Sequence, residues 1–148
     1  MIVKFKKLHP DAVIPFKTYA RDFCYDVVAT SKKDLGDGRV EYGLGFALQF
    51  KDVCNEDGVI YSFDFRARSS IHKTGLILSN CIGTGDESYT GEYKAVFYHV
   101  IPTLPAYEVG DKILQMHVNI TEKLTFELVE ELEKTDRGSN GYGSTDKK

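Results

Sequence analysis

The chain has 148 residues, 42% hydrophobic and 28% charged, which is one domain's worth of sequence with enough apolar material to close a core. No apolar run approaches the roughly 18 residues that cross a bilayer, and the N-terminal M-I-V-K-F-K-K-L lacks the apolar stretch of a secretory signal, so the expectation is a soluble, cytoplasmic protein that engages no membrane. A formal net charge of −3 offers no general field for nucleic acid, so a polyanionic ligand has to be held by a few local cations.

Apolar residues recur with period two almost throughout. Val3 to Phe5 and Tyr25 to Ala29 are short strand candidates. From Tyr42 to Phe50 the bulky residues Tyr42, Leu44, Phe46, Leu48 and Phe50 share one face opposite Gly43, Gly45, Ala47 and Gln49, which predicts one continuous strand. The same alternation predicts strands from Tyr61 to Arg66, at Leu76 to Ser79, from Leu114 to Ile120 and from Leu124 to Leu128. Glu92 to Val100 is apolar on both faces, as a central or interface strand is. Turn signals separate these runs at Asp34 to Arg39, Asn55 to Gly58 and Val109 to Asp111. Only Arg68 to Gly75 suits a short helix, with Gly75 placed to end it. Many short strands with regular turns predict an all-β, jelly-roll-like barrel or sandwich with at most one short helix.

Residues 1–134 are expected to form this domain and residues 135–148 a flexible arm, because T-D-R-G-S-N-G-Y-G-S-T-D-K-K carries no aliphatic residue with which to bury itself. Arg137 and Tyr142 give that arm a guanidinium and a ring, able to clamp an anion and stack on a base. The 3 cysteines (Cys24, Cys54, Cys81) contain no C-x-x-C pair and are expected to be small buried hydrophobes, and the 4 histidines lack zinc-ligand spacing. Mg²⁺ stays open, since it takes oxygen ligands and can be held by one carboxylate together with substrate phosphates.

Polar residues interrupt the strands in three places. A-R-S-S at Ala67 to Ser70 sets a cation and two hydroxyls at a strand end. N-C-I-G-T-G-D-E-S-Y-T-G-E at Asn80 to Glu92 reads as a Gly-rich turn carrying acids and a tyrosine. G-D-K-I-L-Q-M at Gly110 to Met116 sets Gln115 opposite an apolar face. Each feature also has an ordinary structural explanation: a surface ion pair for Arg68, a turn carboxylate for Asp86, a partly buried ring for Tyr89, a solvated strand position for Gln115. A phosphate-binding G-x-x-x-x-G-K-[ST] loop is absent, so nucleotide phosphates would be held by dispersed donors.

Taken in order, these segments resemble the trimeric all-β dUTPases across essentially the whole chain. The five matching motifs are D-F-C-Y-D-V-V-A (Asp22 to Ala29), A-R-S-S, the Asn80 to Glu92 segment, G-D-K-I-L-Q-M, and R-G-S-N-G-Y-G-S-T (Arg137 to Thr145). The resemblance implies hydrolysis of dUTP to dUMP and pyrophosphate by water attack on the α-phosphorus. Asp86 then matches the carboxylate that orients and deprotonates that water, and Asp26 the one that holds Mg²⁺ through water. Arg68, Ser69, Ser70 and Gln115 match phosphate contacts. Arg137, Ser144 and Thr145, with Gly143 beside them, match the arm's hold on the terminal phosphate, and Tyr142 stands where the family stacks a phenylalanine on uracil. Asn80 and Gly83 match the segment that reads the uracil edge, and Tyr89 the ring under the deoxyribose that leaves no room for a 2′-hydroxyl. The resemblance also implies a homotrimer with each active site shared among three subunits.

Departures from the family pattern are Ala67 for proline, Ser70 for glycine, Asn140 for a glycine of the arm, and Gly85 for isoleucine immediately before Asp86. Asn140 suits a position of positive φ. Gly85 predicts a loosely aimed Asp86, with Gly85→Ile raising kcat. A dCTP deaminase of the same fold is a rival reading, but it uses a differently placed glutamate and lacks the full arm motif. A nucleotide-dependent regulatory binding protein is another, able to coexist with catalysis and to engage a protein partner at the site.

Overall fold

A computed structural model of the chain describes residues 1–51 and 58–140. Ten strands run through the described residues: β1 (Ile2–Lys7), β2 (Tyr25–Val28), β3 (Ser31–Gly36), β4 (Arg39–Gly43), β5 (Phe46–Lys51), β6 (Val59–Ala67), β7 (Leu76–Leu78), β8 (Ile82–Asp86), β9 (Lys94–His99) and β10 (Lys112–Glu122). The expected short helix is a single 3-10 turn, Ser69–Lys73, closed by the Thr74 amide donating to the Ile71 carbonyl. Gly75 serves a different purpose: a Cβ there would collide with the Ile101 carbonyl and the His99 ring. No helix of the described residues is long and apolar enough to cross a membrane.

All strand pairings are antiparallel and form three sheets, β1-β5, β2-β10-β6-β8 and β3-β4-β9-β7. Alternation decides which side of each sheet is buried. On β6 and β10 the pairs Phe65 with Met116 and Phe63 with Val118 face the interior, while Arg66 with Gln115 and Asp64 with His117 take the opposite face. Phe63 meets Phe50 of the β1-β5 sheet as stacked rings 4.3 Å apart, and Tyr42, Phe97 and Tyr107 meet edge to face on the third sheet's inner side. One continuous aromatic core therefore joins the three sheets.

Three expectations need correction. The run from Tyr42 to Phe50 is two strands, because the chain breaks at Leu44-Gly45 and changes sheet. Gly45 has φ +68, and a Cβ on it would lie 2.7 Å from both the His9 Cβ and the Thr30 Oγ1. Leu124 to Leu128 forms no strand and pairs with none of the described sheets; Phe126 is 89% and Leu128 100% exposed. The Gly-rich turn contains strand β8, which pairs with β6 over Ile82 to Asp86. Cysteine burial also fails for Cys81, which is exposed at φ 59; Cys24 is half-buried, and Cys54 lies outside the described residues.

The Asp34 to Arg39 turn is as expected. Asp37 (φ 53) and Gly38 (φ 74) make a two-residue connection with positive φ at both central positions, matching the right-handed twist of β3 and β4. On β9, Ala95 and Phe97 face the core, while Tyr98 on the outer face stays 44% exposed beside Ile77.

Gly45→Ala should lower unfolding stability by about 2–4 kcal/mol, combining positive-φ strain with overpacking, whereas Gly36→Ala, which has positive φ but open space, should cost only about 1 kcal/mol. Urea titrations of the two variants measure the difference.

Candidate functional site

Of the sequence-predicted residues, Asp26, Arg68 and Gln115 line one recess and Asn80, Gly83, Asp86 and Tyr89 another, with no lining residue in common. The first lies at the ends of β2, β6 and β10 and encloses about 550 Å³. Asp26 of β2 stands opposite Gln115 of β10, and Arg68 follows the last residue of β6 in extended conformation. The Arg68 Nε donates to Asp26 Oδ1 at 3.0 Å, and the Lys112 Nζ donates to Asp26 Oδ2 at 2.9 Å. Arg68 also donates through Nη1 to the Ser70 hydroxyl, and Lys112 to the Thr18 hydroxyl. Lys112 further sits over the Phe16 ring, 4.7 Å from its centroid. Ser69 opens the 3-10 turn and is exposed.

Burial alone would raise the pKa of Asp26. The hydrogen bond from Lys112 and the charge and hydrogen bond of Arg68 together outweigh it, holding the carboxyl below its ordinary value of 3.8. The two cations in turn need that carboxylate, since side by side they repel each other. The sequence motifs alone give Lys112 no role, although it is a cation in G-D-K-I-L-Q-M on the same strand as Gln115, which is the signal that points to it.

The second recess, about 480 Å³, brings together Asn80, Gly83, Asp86 and Tyr89 with Tyr93 and Lys94. Asp86 is the last residue of β8, paired with Ser62 of β6, and its carbonyl accepts the Tyr89 amide across the turn. The Y-T-G-E sequence explains itself locally. Tyr89 donates its hydroxyl to the Glu92 carbonyl at 2.9 Å, and its ring lies over the bare α-carbon of Gly91, where a Cβ would be 2.5 Å from the hydroxyl oxygen. Glu92 accepts the Gly45 amide through Oε1, tying the segment to the β4-β5 break. A Cβ on Gly83 would crowd Asn80 Nδ2 at 3.2 Å.

The expectation that Gly85→Ile would help is overturned. A Cβ at Gly85 would lie 2.5 Å from Tyr93 Cε1, inside a ring that is itself buried. Tyr93 already fills the space, and no periodicity reveals it because Tyr93 reaches Gly85 from the segment before β9, outside any strand pairing. In the arm, Arg137 donates to the Asn140 carbonyl, apart from both recesses, and positive φ falls on Gly138 rather than Asn140. Tyr142, Gly143, Ser144 and Thr145 lie outside the described residues.

Among the described residues no three His, Cys, Asp or Glu side chains cluster as a metal cage. Asp26, flanked by two cations, suits a divalent ion only when an anionic ligand offsets their charge; one carboxylate plus waters and phosphate oxygens is a donor set that Mg²⁺ accepts. The residues fit the ion as companion to a bound polyphosphate.

The family model for dUTPase matches residues 63–146. The chain is also 33% identical over 146 residues to a deoxyuridine 5'-triphosphate nucleotidohydrolase of Corynebacterium diphtheriae, covering 97% of this chain and 92% of that one. This chain belongs to the dUTPase family. A relative of the same name from Wolinella succinogenes is 33% identical over 151 residues, covering 99% and 95%. Among solved structures, the fold is similar to a Staphylococcus bacteriophage 80alpha dUTPase with dUpNHpp (TM-score 0.77, 20% identity, 97% of each chain). It is also similar to the dUTPase from phage phi11 of S. aureus (TM-score 0.72, 17% identity, 91% of this chain and 100% of that one). The all-β dUTPase fold expected from the sequence is therefore the one observed.

Asp26→Asn should lower stability at pH 7 by about 1–2 kcal/mol, a figure discounted because the Arg68 and Lys112 side chains are 25% and 34% exposed. The folded-state pKa is depressed, so the wild-type advantage should be present above about pH 3.8 and fade as pH falls below it. Denaturant titrations across pH 2.5–7 of both proteins check the sign.

Proposed function

We propose that this dUTPase hydrolyses dUTP to dUMP and pyrophosphate, and that residues from both recesses serve one active site. The observation that carries the reading is the Tyr89 ring pinned over Gly91 in the same recess as Asp86 and Asn80. A flat ring with no freedom to rotate suits packing under a deoxyribose, where a 2′-hydroxyl would have no space. The Asn80 amide and the Gly83 backbone offer the donors and acceptors that a uracil edge needs. Asp86, exposed at the rim, is free to accept a proton from water and aim the oxygen at the α-phosphorus. As the new P–O bond forms, the bond to the bridging oxygen breaks and pyrophosphate leaves.

Arg68, Lys112 and Gln115, with the hydroxyls of Ser69 and Ser70, supply the phosphate contacts in the first recess. Their cations are already held by Asp26, so little reorganisation is needed when a triphosphate arrives. Asp26 is the residue that would hold Mg²⁺, and the ion would supply charge neutralisation to a bound triphosphate. Residues 135–148 act as the closing arm of a domain formed by residues 1–134, Arg137, Ser144 and Thr145 engaging the terminal phosphates with Gly143 between the contacts, and Tyr142 stacking on the base. The homotrimer that the family resemblance implies, in which different subunits contribute each recess and the arm, is part of this reading. The exposed side chains of Phe126, Leu128 and Leu132 support it, since apolar groups so spaced are ordinarily covered. The enzyme would act in the cytoplasm, where it would remove dUTP from the nucleotide pool. The deaminase alternative loses ground, because the matching relatives carry the name of dUTP nucleotidohydrolases.

Pyrophosphate release should occur with dUTP and fall to background with dCTP, dTTP and UTP. Asp86→Asn should lower kcat by about 100-fold or more while dUpNHpp still binds. Loss of selectivity, or full turnover in Asp86→Asn, would reject this assignment. Gly91→Ala should displace the Tyr89 ring and narrow the kcat/KM preference for dUTP over UTP by about 10-fold or more.

A further inference from the structure

Gly85 immediately precedes Asp86 at the end of β8, and its α-carbon is bare on the side where the Tyr93 ring lies. A Cβ there would stand 2.5 Å from Tyr93 Cε1 and 3.1 Å from its hydroxyl oxygen, so ring and backbone are in direct contact. The ring is held among aromatic neighbours, with its open side on the second recess. It packs 4.9 Å from Phe65 and 5.3 Å from Tyr89, centroid to centroid, with Phe46 and Phe63 each at 6.2 Å, and Tyr93 is 6% exposed. Its main chain is equally fixed: the Tyr93 amide donates to the Phe46 carbonyl and its carbonyl accepts the Leu44 amide, on both sides of the β4-β5 break. The end of β8 thus rests on a rigid aromatic post anchored in a different sheet.

The hydroxyl of that post is the second observation. It is buried without a hydrogen-bond partner among the described residues, an arrangement that costs stability and that native structures mostly avoid. Burial, with the Tyr89 and Asp86 charges adding to it, pushes its pKa up to about 12, so it stays neutral at any working pH. Stability alone would favour a smaller apolar side chain here with a larger residue at position 85.

We propose that Tyr93 is a positioning residue for Asp86, acting through the bare α-carbon of Gly85, and that this size-matched pair sets where the end of β8 presents its carboxylate. The inference rests on Asp86 being the residue that aims the attacking water. Misplacement of such a group by about 1 Å costs up to about 100-fold in rate without a matching loss of binding.

The test is a double-mutant cycle on the full chain, reading kcat for dUTP, dissociation constants for dUpNHpp, and thermal melts. Gly85→Ala and Tyr93→Leu should each lower kcat about 10- to 100-fold while dUpNHpp affinity changes by less than about threefold. Gly85→Ala combined with Tyr93→Leu, which adds size on one side of the contact and removes it on the other, should recover kcat to within about fivefold of wild type, a coupling far from additive. Tyr93→Phe keeps the ring and should retain most of the turnover that Tyr93→Leu loses, while melting higher. Additive effects, or a loss in Tyr93→Leu that appears equally in dUpNHpp binding, would overturn the pairing while leaving the dUTPase reading intact. A wild type that releases no pyrophosphate from dUTP would overturn both. Should Tyr93→Leu fail to fold, Gly85→Ala with and without Tyr93→Met, a narrower and more flexible side chain, decides the matter: additive effects there overturn the pairing as well.

Discussion

The nine-pair antiparallel ladder between β6 and β10 is the constraint on which the rest of the molecule hangs. Side chains alternate, so one register sends Phe63, Phe65, Leu114 and Met116 into the core and Asp64, Arg66 and Gln115 to the other face. A slip by one residue would turn charged side chains into the apolar core and the rings out of it, a penalty large enough to exclude it. With that ladder set, β2 on the outer side of β10 carries Asp26 to Gln115, and β8 on the outer side of β6 carries Asp86 to Ser62. The two candidate recesses are therefore built on opposite edges of a single four-stranded sheet.

Electrostatics separates the two. The first recess is organised around charge: a buried carboxylate with a guanidinium on one oxygen and an ammonium on the other. Neither cation is fully satisfied by Asp26, because each retains further N–H donors, so the cluster keeps an excess positive charge that attracts a polyanion. The second recess is organised by contact. Tyr89 against Gly91 and Tyr93 against Gly85 are the same device used twice, an aromatic ring set against a glycine that has nothing to collide with. Rings offer shape with few torsions to freeze, and this suits them to hold a strand end or a sugar in place.

Much of this was legible in the sequence. Period-two alternation located β6 and β10 and placed Gln115 on the polar side, and five short segments in order pointed to the dUTPase family. Alternation misled at Leu124 to Leu128 because it reports a two-faced segment and says nothing of a pairing edge, which is a property of neighbours. It also concealed the break at Gly45, since the glycines there fall on the small face that a continuous strand would need anyway. In Asn80 to Glu92 the glycines suggested a turn, yet β8 forms because β6 supplies a ladder to complete.

By itself, then, the sequence determined the class of fold, the identities of the charged and aromatic groups and the order in which they come, because these follow from local periodicity and side-chain chemistry. Only the tertiary structure decided that Lys112 joins Arg68 on Asp26, that two recesses exist, and that Tyr93 occupies the room beside Gly85. Each of those depends on residues far apart in sequence brought within van der Waals or hydrogen-bond reach, and no spacing along one strand encodes the partner supplied by another.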